Sequence, residues 1–215
     1  MNSPSIFLTL YEFLSAFFHY PRRRLVKLLR EGFIEELEDR VKSLTDFPDE
    51  YKKGFSLIKE YVESTRERSL EDVHRELAVE YTRLFINAFP MVPCPPYESF
   101  YVNGGLLAQR SAAKVLEIYA KVGYRLRDKF KDLPDHIAVE LEFMSILHRM
   151  KLKHERKEEL NEIKHLFLKE HLLKWAPSFC DNIERNAKLT FYKGLSYILR
   201  GLLTMEAKNL MECSS

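Results

Sequence analysis

Ser69-Leu70-Glu71-Asp72-Val73 opens, and Pro90-Met91-Val92-Pro93-Cys94-Pro95-Pro96 closes, the stretch of this 215-residue chain that decides its fold. Between them Leu70, Val73, Leu77, Tyr81, Leu84 and Phe85 recur at intervals of three and four, the period of a helix with one buried face. Ser69 with Asp72 three positions on has the form of a capping box. Four prolines in seven residues then end the pattern, because proline lacks an N–H and disfavours helix in the residue before it. The spacing predicts a long helix from 70 to about 89 and a stiff, non-helical loop after it.

The same punctuation divides the rest of the chain. Ser3-Pro4 caps an apolar stretch, Ile6 to Tyr20, which stops before Pro21. A second helix with Leu25, Leu28 and Leu29 on one side runs to Gly32, and a third carries Ile34, Leu37, Val41 and Leu44. Asp46-Phe47-Pro48 starts a fourth, with Tyr51, Phe55, Ile58 and Val62 as its stripe. Beyond the prolines, helix resumes near Leu106 with Leu116, Tyr119 and Val122 facing inward, and Gly123 caps its end. Pro134-Asp135-His136 reads as the first turn of a helix carrying Ile137, Leu141, Met144 and Leu147. Leu160, Ile163, Phe167 and residues 172–175 form another, stopped by Pro177, and the last two cover about 178–187 and 190–210. No period-two alternation appears. The expected class is all-α: one globular helical domain over 1–215, of about ten helices. The charged connector 124–133 makes the region 124–136 a candidate hinge between two subdomains. Such connectors let the last helices exchange between copies, so the expected states are a monomer or a domain-swapped dimer.

Thirty-four Lys and Arg against 32 Asp and Glu leave a net charge of +2, too weak a field for a nucleic-acid partner held by phosphate contacts. The three cysteines, Cys94, Cys180 and Cys213, form no C-x-x-C, which argues against a disulfide framework or zinc ribbon and for a cytoplasmic location. The apolar N-terminal stretch spans only residues 6–20 and contains Glu12. A bilayer crossing needs about 20 apolar residues, so no stable membrane insertion is expected. Arg22-Arg23-Arg24-Leu25-Val26-Lys27 looks like a twin-arginine export motif, but the charged stretch 28–40 stands where an apolar one would have to follow.

The glycines fit neither G-x-x-x-x-G-K nor G-x-G-x-x-G, and no G-x-S-x-G is present, so the sequence offers no standard nucleotide or serine-hydrolase chemistry. The E-x-x-H spacing of di-iron bundles occurs at Glu71/His74 and Glu162/His165, yet these residues fall off the inward stripes of their helices. No cofactor, no metal and no enzymatic activity are expected.

Glu80 to Phe85, followed by Pro93-Cys94-Pro95-Pro96-Tyr97-Glu98-Ser99-Phe100-Tyr101, concentrates aromatics, prolines and hydroxyls. Prolines lower the entropy lost on binding, and tyrosines offer broad faces with a polar tip, which suits a wall that grips a peptide. The same tyrosines could equally pack over the core. Together with Pro134-Asp135-His136-Ile137, Glu140-Leu141-Glu142-Phe143-Met144 and His171-Leu172-x-x-Trp175-Ala176-Pro177, this segment resembles the TorD/DmsD/NarJ chaperones that mature molybdopterin oxidoreductases. The resemblance covers about 81 to 192. It implies an all-helical cytoplasmic chaperone that holds the N-terminal signal segment of a catalytic subunit precursor, often a twin-arginine signal, until the cofactor is inserted. NarJ-like members take other N-terminal segments. By the same resemblance the peptide-binding positions are Tyr97, Ser99, Tyr101, Pro134, Asp135 and His136.

On physical grounds Asp135, read in a first helical turn, either serves the helix dipole alone or also accepts a charged hydrogen bond from a client arginine. Glu98 could attract arginines in the same way. His136 orients that carboxylate or packs, and Glu140, one turn on, contacts it or meets solvent. Trp175 and His171 read as core. The competing classes are a helical adaptor that binds another partner helix and a di-iron helical-bundle enzyme.

Overall fold

The computed structural model describes residues 3–44, 48–104, 109–126, 132–153 and 156–212. These form eleven α-helices and no named strand: α1 (Ser3–Phe18), α2 (Arg23–Arg30), α3 (Phe33–Lys42), α4 (Asp49–Ser64), α5 (Leu70–Tyr81), α6 (Glu98–Val102), α7 (Gln109–Lys121), α8 (Ile137–Leu152), α9 (Lys157–Phe167), α10 (Leu173–Asn186) and α11 (Thr190–Glu212). The all-α class of about ten helices is the one the sequence predicts. No described helix is long and apolar enough to cross a membrane.

Two long pairings organise the core: α1 packs along α8, and α4 along α11. Both join helices of the first third of the chain to helices beyond residue 136, and one continuous apolar cluster runs through all four. The α4–α11 crossing is close because glycines face each other there. A Cβ built on Gly54 would stand 2.8 Å from the Gly194 carbonyl oxygen, and one on Gly194 would stand 2.7 Å from that of Gly54.

Ser69 caps α5 as its spacing predicts, its hydroxyl accepting from the Asp72 N–H at 3.1 Å. The helix does not reach 89. After Tyr81 it widens into a π-helical segment, Thr82–Ile86, and the proline loop leaves from there, tied back by the Cys94 N–H to the Leu84 carbonyl at 3.0 Å. Burial pushes the Cys94 thiol up to about 12, so this cysteine behaves as an inert packing group.

Three local expectations change. In α7 Tyr119 is buried, and Val122 just beyond it half-buried, as the spacing predicts, but Leu116 is exposed, and Val115 and Ile118 complete the inward stripe instead. Pro177 lies inside α10, directly after a second π-helical segment, Leu168–Leu172. That irregular turn accommodates a residue without an N–H, so the rod continues to Asn186. Pro134 and Asp135 stand before α8, whose N-cap is His136. The helix start read near Leu106, the Asp46-Phe47 start and part of the candidate hinge, 127–131, fall outside the described residues.

Candidate functional site

Residues 95–101 and 134–137 lie side by side. Tyr97 and His136 form an isolated antiparallel bridge, the Ile137 N–H donates to the Pro96 carbonyl at 2.8 Å, and the Glu98 N–H donates to the Asp135 carbonyl at 3.0 Å. The prolines favour this geometry, since they hold the loop extended and leave its carbonyls to be met by other donors.

His136 caps α8 through Nδ1, which accepts from the Ala138 N–H at 3.1 Å. Burial lowers its pKa to about 4, so the ring is neutral near pH 7 and carries its proton on Nε2, toward Asp132 Oδ2 at 3.9 Å. The Tyr97 ring meets the His136 imidazole edge-on at 5.3 Å, and the His19 ring stacks on its other side at 6.0 Å. Tyr97 itself is half-buried and donates through its hydroxyl to Asp132 Oδ1 at 2.7 Å. Pro134 is likewise half-buried.

Asp135 is fully buried and caps a helix other than the one it precedes, accepting at Oδ2 from the Ser99 N–H of α6 at 2.9 Å. Burial raises its carboxyl, and the hydrogen bonds from Ser99 counter that rise. Behind it Glu98, Ser99 and Glu140 are buried as well. Glu98 Oε2 lies 2.7 Å from His171 Nδ1, and Glu140 accepts from the Trp175 indole N–H at 3.1 Å. Burial first, and then the neighbouring Glu98 charge, push the Glu140 carboxyl far above the usual carboxylate range. The protonated form is thus favoured over what an ordinary carboxyl would show, and in that form Glu140 can donate as well as accept. Tyr101 is half-buried, tilted against Trp175 at 5.4 Å, with its hydroxyl accepting from Asn182 at 3.2 Å.

The predicted positions thus divide in depth. Tyr97, Pro134 and Tyr101 reach solvent; Glu98, Ser99, Asp135, His136 and Glu140 form the layer that fixes them. One accessible acid of this wall was not among the predicted positions: Asp132, whose side chain is 43% exposed, held by Tyr97 and by the Leu133 N–H. A carboxylate two residues before the Pro-Asp-His block is its sequence signal, which is faint because the surrounding connector is uniformly charged. Of the two E-x-x-H pairs, Glu71 is paired with Arg23 at 2.5 Å and His74 bonds the Pro21 carbonyl at 3.1 Å. Among the described residues no three His, Cys, Asp or Glu side chains converge as metal ligands would.

Grooves flank the wall. One, of about 490 Å³, runs past Glu98 and His171 beside α7 and α9; the other, of about 730 Å³, reaches from His19 along α1, α2 and α8.

Residues 44–181 match the family described as nitrate reductase delta subunit. The chaperone protein TorD of Photobacterium profundum is 31% identical over 163 residues, covering 72% of this chain and 75% of the relative. The chain belongs to the TorD-like family of redox-enzyme maturation chaperones. TorD of Vibrio atlanticus is 30% identical over 152 residues, 67% of this chain and 69% of that one. A solved structure assigned as a redox enzyme maturation protein from Archaeoglobus fulgidus shares the fold, with a TM-score of 0.51 at 23% identity over 92% of this chain and 93% of that one. In this TorD-like chain the family match spans both segments of the wall, 95–101 and 134–137.

Proposed function

We propose that this TorD-like chain is a cytoplasmic chaperone without catalytic activity. It binds the N-terminal signal segment, of the twin-arginine type, of a molybdopterin oxidoreductase catalytic subunit and holds that precursor until its cofactor is inserted. The observation that carries the reading is the bridge between Tyr97 and His136, which joins the two family blocks into one wall with an accessible carboxylate at its edge. Tyr97, Tyr101 and Pro134 supply stiff apolar contact to the leader's hydrophobic part, while Asp132 receives an arginine. Glu98, Ser99, Asp135, His136 and Glu140 act from beneath: Asp135 sets where α6 begins, and α6 carries Ser99 and Tyr101. Binding is non-covalent throughout.

Calorimetry with a synthetic leader peptide tests this. Asp132→Asn is expected to weaken binding about fivefold to tenfold, within the range of a charge-assisted hydrogen bond, and to leave helical circular dichroism intact. Asp135→Ala is expected to weaken binding and lower stability together, because it removes the α6 cap. A leader whose affinity is indifferent to Tyr97→Ala and Asp132→Asn alike would sink the reading.

A further inference from the structure

The larger groove has an apolar floor and a cationic rim. Leu25, Leu28 and Leu126 are half-buried along it, and Arg22, Arg24 and Arg125 are exposed at its edges with no acidic partner among the described residues. The groove's own acids are engaged: Glu12 pairs with Arg149, and Glu142 accepts from the Tyr124 hydroxyl at 2.9 Å. Arg23, between Arg22 and Arg24, is instead held by Glu71. Arg22, Arg24, Arg125 and Arg149 against Glu12 and Glu142 leave an excess of positive charge over greasy surface. Arg22 and Arg24 also sit at the start of α2, whose first turn carries no acid; the helix dipole is already positive there, so these charges do not stabilise the helix they open.

We propose that this groove takes a client polypeptide segment in which acidic side chains sit beside apolar ones, its leucine-like residues on the floor and its carboxylates met by Arg22, Arg24 and Arg125. The twin-arginine look-alike at 22–27 then has a role that is not export: Arg22, Arg24 and Leu25 line the groove. A rim of this charge repels a leader's own arginines, so the segment is a part of the client other than the arginine pair. The inference rests on the chaperone reading for the source of the segment, and on the groove alone for its charge.

Fluorescence anisotropy with a short labelled peptide of leucines and glutamates, and a counterpart with arginines in place of the glutamates, tests it. The parent protein is expected to bind the glutamate peptide about tenfold more tightly, and the double variant Arg22→Glu, Arg24→Glu to reverse that preference. No preference between the peptides, or a preference unmoved by the charge reversal, overturns the proposal. Displacement of the glutamate peptide by millimolar inorganic phosphate, with a leucine-free version binding equally well, also overturns it, since the groove would then be a phosphate site. Leader binding in the same variants separates the two readings. Loss of the leader on Asp132→Asn, with glutamate-peptide binding unchanged in the double variant, ends the groove inference and spares the chaperone reading. A reversed peptide preference, with leader binding indifferent to Tyr97→Ala and Asp132→Asn, supports the groove and ends the leader assignment.

Discussion

Glu206 and Glu140 are both wholly buried, and both belong to centres hung on α8, where His148 follows Glu140 by about two turns. Their protons nevertheless behave oppositely. Glu206, on α11, accepts from Lys164 at 2.7 Å, and at its other oxygen from His148 at 2.9 Å and Tyr11 at 3.2 Å. Burial alone would raise this carboxyl, but the His148 hydrogen bond and the Lys164 charge hold it at about 2. Glu140 has the Trp175 indole as its donor, while Glu98 and Asp135 crowd it with negative charge; its Oε1 receives no protein donor, and its pKa rises. Depth of burial is the same in both places. The number and charge of the donors that reach the carboxyl decide which form is native. The first centre staples the N-terminal helix to α8, α9 and α11. The second underlies the wall proposed to meet the client.

The largest effect should come from breaking the satisfied centre. Glu206→Ala leaves the Lys164 ammonium buried without an anion and should cost about 3–5 kcal/mol, the usual cost of orphaning one member of a buried pair, read as a lower urea midpoint. A loss under about 1 kcal/mol would erase the contrast. Glu140→Gln should do the reverse, because glutamine keeps the oxygen that faces Trp175 and removes the cost of protonating the carboxyl on folding at a pH where the unfolded chain is ionised. Stability at pH 8 is expected to be unchanged or higher by up to about 1 kcal/mol.

The pH profile sharpens the same comparison. Glu206 contributes stability that is complete above its unfolded value, about 4.3, and disappears as pH falls below it; the loss continues toward the native value of about 2. Glu140 holds its proton more tightly in the native state than in the unfolded chain, so its contribution declines as pH rises from about 4.3 toward its raised native pKa. Glu206→Gln should therefore flatten the acid limb of the unfolding profile and Glu140→Gln the alkaline limb. An unaltered profile in either variant would contradict the assignment of that limb. Smallest is Tyr11→Phe, which removes one of three donors to Glu206 and should cost about 1 kcal/mol, with the acid limb kept.

Much of this TorD-like fold was legible from periodicity and punctuation, because a helix is a local event: Ser69 caps where its spacing says, and Ile34, Leu37, Val41 and Leu44 are all buried. The site was legible in part. Tyr97 and His136 were singled out, and they touch. The sequence places Asp135 in the first turn of a helix, serving its dipole alone or also a client arginine, whereas it stands before α8 and its side chain caps α6, a five-residue helix that begins just after the proline-rich block. Glu206 was missed, although it falls on the inward stripe Leu195, Leu199, Leu202 at helical spacing, where a charge signals a buried partner.

The sequence by itself determined where the helices run and which of their faces are apolar, since both follow from spacings of three and four residues and from local breakers. Only the tertiary structure decided which acids lie beneath the wall and which at its edge, what Asp135 caps, and which carboxylate keeps its proton. Those outcomes depend on donors brought from 35 to 195 residues away, and no local pattern encodes how many of them arrive.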